Sequence, residues 1–250
     1  MNQILETLHT HLQEKRIQFF VIFSVFVLQY LFEHFFPEKK KYNSFKNELK
    51  NIGVGIFNGL ILFIPSALII MVINYSDKIN FGLLHFTSFP FWLNLLVTIF
   101  LMDIGMYWWH RANHTVQLFW RFHRFHHLDQ KMNTTTAVRF HFIELLFAWI
   151  LKSAYIFLLG ISFLPLLIYE VLFFIVVVIH HSNISVTAKG DFMYRKLFSS
   201  PLMHRIHHSN IKEEMDTNYG SVFSFWDRLF GTYKRRASSE IVFGVDERLM

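Results

Sequence analysis

An all-α, multi-pass membrane helical bundle with a cytosolic histidine-rich cap is the fold this sequence predicts, on three observations. Hydrophobic residues fill 53% of the 250 positions, Phe alone 31 of them, against 17% charged residues and a mean hydropathy of +0.31. Soluble domains carry about a quarter charged residues. The apolar residues are bunched into long runs instead of being spread at the spacing of a water-soluble core. Eleven of the fifteen histidines fall between residues 110 and 208, in clusters next to those runs.

The first run, residues 19–36, is apolar apart from Gln29, Glu33 and His34, with Ser24 and Tyr30 as mild exceptions. A membrane-crossing helix needs about 20 predominantly apolar residues. The run ends in Glu33-His34-Phe35-Phe36-Pro37 rather than at a small-residue cleavage site, so it is expected to be a retained anchor and not a cleaved signal. The second run, residues 52–75, is uncharged throughout, and the third, residues 91–109, carries only Asp103. The fourth, residues 142–179, is long enough for two elements and carries only Glu144, Lys152 and Glu170. It can form a hairpin of two short spans broken near Gly160 to Pro165, or two helices that enter the bilayer without crossing it. The region after residue 181 is polar enough for a cytosolic cap, with Pro201, Gly220 and Gly231 as turn points. No repeat, low-complexity tract or linker suggests a second domain. The expectation is one membrane domain over residues 1–250, with the histidine-rich region at 103–232.

Lysine and arginine placement orients the bundle. Loop 37–51 holds Lys39, Lys40, Lys41, Lys46 and Lys50, whereas loop 76–90 holds only Lys78. Residues 110–141 and 181–250 are also rich in Lys and Arg. By the positive-inside rule, loop 37–51 and both histidine-bearing segments face the cytoplasm and loop 76–90 faces out. Lys15 and Arg16, in the outer N-terminal stretch, run against this bias. The net charge of +6 is dispersed around apolar spans, which is no nucleic-acid signature.

The histidine spacing is that of metal sites. Residues four apart share a helix face, so His110 and His114 can bind one ion together, with Tyr107 and Asp103 on the same face. An aspartate inside an apolar run is costly. Asp103 is expected to fix the tautomer of a ligand histidine, to bind metal directly, or to pair with a neighbouring helix. His123, His126 and His127 repeat the spacing of His204, His207 and His208. With His180 and His181, these groups give ten imidazoles, too many for one ion and the right number for two. Adjacent helical residues point about 100° apart, so only one of His180 and His181 is expected to be a first ligand. Imidazole suits zinc, copper, iron and nickel alike. His141 and Glu144 are expected near each other or Arg139, as a structural ion pair or in support of a ligand. His9, His11, His34 and His85 are expected as interfacial side chains.

Several function classes are disfavoured. The chain has no cysteine, which excludes disulfides, iron–sulfur clusters and thiolate-ligated haem. It has no nucleotide-binding motif, so electrons for any redox turnover must come from a separate protein. Transporters place binding residues at mid-membrane, whereas these histidines lie at span ends. That weighs against the competing class, a non-catalytic metal-binding or transport protein. A hydrolytic zinc site needs fewer histidines.

In its motifs the chain resembles the fatty acid hydroxylase superfamily, the membrane histidine-box di-iron oxidases that include sterol desaturases. The matching stretches are residues 103–114 (DIGMYWWHRANH), 119–127 (FWRFHRFHH), 133–144 (NTTTAVRFHFIE), 180–184 (HHSNI), 201–209 (PLMHRIHHS) and 218–232 (NYGSVFSFWDRLFGT), in the family's order. The resemblance implies two iron ions, replaceable by zinc on purification, held by His110, His114, His123, His126, His127, His181, His204, His207 and His208, with His180 in reserve. Asp103, Asn133 and Glu144 are the supporting candidates. It further implies O2-dependent hydroxylation of a fatty-acyl or sterol-like lipid, fed by a reductase or small electron carrier. Desaturation and ether-lipid cleavage start from the same hydrogen abstraction and are the alternatives on this site. One departure is Phe142, where the family carries proline after the histidine of R-x-H-P-x-E.

Overall fold

The computed structural model describes residues 2–42, 44–238 and 240–245. The side chains of residues 2–9, 11, 12, 64, 66 and 67 are not described, so the expectation for His9 and His11 lies outside the described residues. Among the described residues the chain is all α, without strands beyond isolated bridges. The helices are α1 (Asn2–Phe35), α2 (Phe45–Ile79), α3 (Phe91–Thr115), α4 (Gln117–His127), α5 (Phe142–Leu159) and α6 (Phe163–His181), then the short α7 (Ala188–Tyr194), α8 (Pro201–His207), α9 (Lys212–Met215) and α10 (Phe225–Leu229).

Five of these are long and apolar enough to cross a membrane: Gln13–Phe35 within α1, then α2, α3, α5 and α6. The long run at 142–179 divides into two helices, each long and apolar enough to cross. Its two helices of 18 and 19 residues extend about 27–28 Å, close to the ~30 Å hydrocarbon core. The break falls at Gly160, whose φ of 64° ends α5 in the left-handed region. Gly82 at φ 120° faces it: a Cβ there would lie 2.3 Å from the Gly160 nitrogen. The loops after α2 and α5 thus touch backbone to backbone at the end of the bundle away from the histidines.

Packing is pairwise. α2 lies along α5, α1 along α6, and α3 against both α4 and α6. Ile69 and Ile73 of α2, Met102 and Tyr107 of α3, Ile156 of α5 and Leu166 of α6 form the buried core. Outward faces stay apolar, as Phe20, Phe23, Leu60, Phe63 and Phe100 show. Large exposed apolar surface of this kind is the face of a protein made for lipid.

The cap at the α3 and α6 C-termini is instead polar and buried. Glu33 of α1 accepts from the Thr134 N–H at 2.8 Å, the Thr134 hydroxyl at 2.8 Å and the Asn183 N–H at 2.6 Å. Asp129 accepts from Asn51 at 2.8 Å and from the Thr136 hydroxyl at 2.8 Å. Each carboxylate ties a span to a cap segment, where an unpaired buried polar group would be costly.

Candidate metal centre

Four helical segments bring the histidines together. The last turns of α3 present His110 and His114. The chain breaks at Val116 and turns into α4, which presents His123, His126 and His127. The C-terminal turn of α6 supplies His180 and His181, and α8 with its C-cap supplies His204, His207 and His208.

Nine of these ten imidazoles form two groups. His110, His114, His123, His127 and His207 make the first, and His126, His181, His204 and His208 the second; within each, the ligand nitrogens lie within 4.8 Å of one another. The split follows helical phase. In each H-x-x-H-H box the i and i+4 residues face one group and the middle residue faces the other. His123 and His127 go to the first group with His126 in the second; His204 and His208 go to the second with His207 in the first. The groups adjoin, with the His127 and His208 rings stacked 4.4 Å apart. His180 lies outside both, its ring centroid 3.9 Å from that of His204.

Five of the outer nitrogens are fixed by hydrogen bonds. His123 Nδ1 bonds the Glu144 carboxylate at 2.8 Å. His110 Nδ1 bonds the Tyr219 carbonyl at 2.9 Å, His126 Nδ1 the Arg139 carbonyl at 3.1 Å, His181 Nδ1 the Val177 carbonyl at 2.8 Å and His207 Nδ1 the Thr217 carbonyl at 2.8 Å. His114 Nδ1 lies 3.4 Å from Asp216. A proton on each bonded Nδ1 leaves an Nε2 lone pair pointing inward.

These inward nitrogens test whether metal fits. Nε2 of His114, His123, His127, His207 and His208 is buried and finds no hydrogen-bond partner among the described residues. His181 Nε2 lies 3.0 Å from both His126 Nε2 and His204 Nε2. That spacing suits nitrogens sharing one ion at metal–nitrogen bonds of about 2.1 Å. So many orphaned acceptors converging on two points would be costly alone, and a cation answers them.

Charge agrees. Burial first, with neighbouring imidazoles adding to it, holds His126, His127, His204 and His208 well below the ordinary imidazole value. Burial likewise pushes His207 down to about 3. These five imidazoles are neutral at pH 7, the form that binds metal.

A cavity of about 350 Å³ opens from the histidines into the membrane half. His110, His123, His126 and His204 line one end, and Met106, Trp109, Leu145, Trp149 and Phe173 its length. Its size falls in the ~300–1,000 Å³ range of small-molecule sites.

The supporting candidates take three different places. Among the described residues Asp103 bonds no histidine, and on the bilayer side it lies beside Tyr169 of α6. Its carboxylate accepts from the backbone N–H of Val222 and Phe223, both at 3.0 Å, and from Trp226 Nε1 at 2.8 Å. It anchors the segment whose Tyr219 carbonyl orients His110. Asn133 also stays away from the histidines, accepting from Thr135 and donating to the Tyr42 carbonyl. Glu144 pairs not with Arg139 or His141 but with His123, and also accepts from Asn113 at 3.4 Å. His141 caps α5, its Nδ1 accepting from the Ile143 N–H at 3.2 Å. Arg139 donates to Asn51 and to the Phe125 carbonyl. Sequence reasoning missed Asp227, which accepts from the N–H groups of Tyr219 and Gly220 at 2.7 and 2.9 Å. Its signal was the N-Y-G and W-D-R pair in the tail motif.

A family model described as fatty acid hydroxylase matches residues 95–232. The chain is 32% identical over 147 residues to an ornithine lipid hydroxylase of Rhizobium tropici, covering 58% of this chain and 43% of that protein. It is 30% identical over 148 residues to human alkylglycerol monooxygenase, covering 58% and 31%. It is 24% identical over 176 residues to human lathosterol oxidase, covering 70% and 56%. The matched stretch thus spans less than half of the first two relatives and little more than half of the third. No solved structure matches the chain.

Proposed function

The chain belongs to the fatty acid hydroxylase family, and on that premise we propose that it is a membrane monooxygenase that hydroxylates a lipid with O2 at two iron ions. The observation that carries this reading is the convergence of nine buried or half-buried imidazoles on two points at the end of an apolar cavity. His110, His114, His123, His127 and His207 would hold one ion, and His126, His181, His204 and His208 the other. Iron bound there would supply the O2 activation that removes hydrogen from an unactivated C–H bond.

The chain's own residues do the rest. Glu144 holds the Nδ1 proton of His123 and so keeps the other nitrogen turned inward. Asp103 and Asp227 hold the segment that carries the Tyr219 carbonyl, which positions His110. Asn133 sustains the turn after α4. The cavity wall excludes water and aligns an acyl or sterol-like tail with the histidines. Hydroxylation consumes one O2, two electrons and two protons per C–H bond and releases one water. A separate reductase or small electron carrier supplies the electrons at the cytoplasmic face, where the lysine bias places the cap. Residues 1–250 act as one membrane domain.

The names of two relatives favour a second reading on the same site: ether-lipid cleavage or desaturation. Turnover with 18O2 separates the outcomes. Hydroxylation puts label in a product hydroxyl, ether cleavage releases a labelled aldehyde, and desaturation gives an unlabelled alkene. Turnover that persists without oxygen overturns all three and returns the site to a zinc hydrolase or a metal-binding protein.

A further inference from the structure

At the end of the cavity away from the histidines stands a charged cluster that the oxidative reading does not use. The Glu170 carboxylate accepts from Lys152 Nζ, from Lys15 Nζ at 3.0 Å and from Gln18 Nε2 at 2.8 Å. Lys15, Lys152 and Glu170 all line the cavity, and they come from three different helices. A charge within a membrane span is costly and usually functional. Among the described residues lining the cavity, two ammoniums share this one carboxylate, which leaves one positive charge in excess on an apolar wall. Each ammonium has three N–H donors and gives one to Glu170. The cluster is therefore built to take one more anionic oxygen group.

Helix geometry gives its distance from the histidines. Along α5, Lys152 lies two turns beyond Glu144, about 12 Å. Along α6, Glu170 lies three turns before His181, about 16 Å. Extended carbon–carbon bonds of about 1.5 Å advance about 1.25 Å each in a zigzag. The span therefore holds roughly ten carbons of a straight chain.

We propose that Lys15 and Lys152, set by Glu170, receive the single anionic group of a lipid, a carboxylate or phosphate, and so select which carbon of its chain faces the histidines. The proposal rests on the lipid-oxidising reading and deepens it. The substrate is an anionic amphiphile whose chain runs from the far half of the membrane toward the cap, and the reacting carbon lies roughly ten bonds from the anion.

Binding tests this without turnover. Trp109 and Trp149 line the cavity, so stearate brominated at mid-chain should quench their fluorescence in the purified full chain. Excess unbrominated stearate or phosphatidic acid should reverse the quenching, and whichever competes identifies the source of the anion. Lys152→Met should weaken the acid about tenfold or more, the loss of one charge-assisted bond, and leave the brominated methyl ester unchanged. Retained ester binding also shows that the variant folds; Lys15→Met replaces it if Lys152→Met does not. Glu170→Gln should keep or tighten binding of the acid, because it removes the competing carboxylate. A merely structural ion cluster predicts the reverse, with equal losses in Glu170→Gln and Lys152→Met and for acid and ester alike. That result, unchanged acid affinity in Lys152→Met, or competition by neither anionic lipid overturns the assignment. Intact binding without hydroxylation would sink the oxidative reading alone, and intact hydroxylation without binding would sink the anchor alone.

Discussion

The membrane half and the cap of this molecule are held together by opposite means. In the spans, α1, α2, α3, α5 and α6 bury a modest apolar seam and turn large apolar side chains outward. In the cap, histidines, carboxylates, threonines and asparagines are buried almost completely, the carboxylates, threonines and asparagines held by specific hydrogen bonds and the histidines turned on the two groups. A span position needs only to be apolar, and many residues satisfy it. A cap position needs one donor or acceptor in one place. The spans therefore tolerate substitution while the cap does not, and that contrast can be measured.

The largest effect should come from inside the histidine groups. His207→Ala and His126→Ala each remove an imidazole from a different group. Each should lower metal content from about two ions toward one and abolish turnover, read by elemental analysis of detergent-purified protein. A full complement in both variants would break the comparison at its centre. Glu144→Ala should come next. It frees the Nδ1 side of His123 and should cost ~10–100-fold in metal affinity or activity, with Glu144→Gln recovering part of it because an amide oxygen still accepts.

Acid should weaken the cap and spare the spans. His126, His127, His204, His207 and His208 sit below their unfolded value, near 6.5, so the unfolded chain binds more protons. Stability and metal retention are then full above about pH 6.5 and fall as pH drops toward the folded value of about 3 for His207. Metal content and thermal midpoint measured at pH 8 and pH 5 check this; equal values at both would refute it. Asp103→Asn should cost about 1–3 kcal/mol, seen as a lower thermal midpoint, because it weakens bonds to Val222, Phe223 and Trp226. Smallest of all, Phe63→Leu on the outward face of α2 should stay within about 0.5 kcal/mol.

The same contrast explains what could be read from the sequence. The spans were legible because the bilayer imposes a run length, and even the break within residues 142–179 announced itself at Gly160. The histidine groups were legible because i and i+4 spacing survives in any helix. What could not be read was where a side chain finds a partner far along the chain. Asp103 looked like a neighbour of His110, yet its partners lie in the tail at Val222 to Trp226. Glu144 looked local to His141, yet it turned to His123. Main-chain carbonyls such as Tyr219, Thr217 and Arg139 leave no trace in residue identity at all.

Each H-x-x-H-H box feeds both groups from one turn of helix, and this has a consequence for assembly. α4 and α8 each straddle the two positions like a yoke. Whatever orders the yoke for one ion orders it for the other, so the second ion should find its ligands already in register. Filling should be steeply cooperative, with half-loaded molecules scarce. A single residue inserted within either turn rotates the remainder of that helix by about 100° and would dismantle both positions at once.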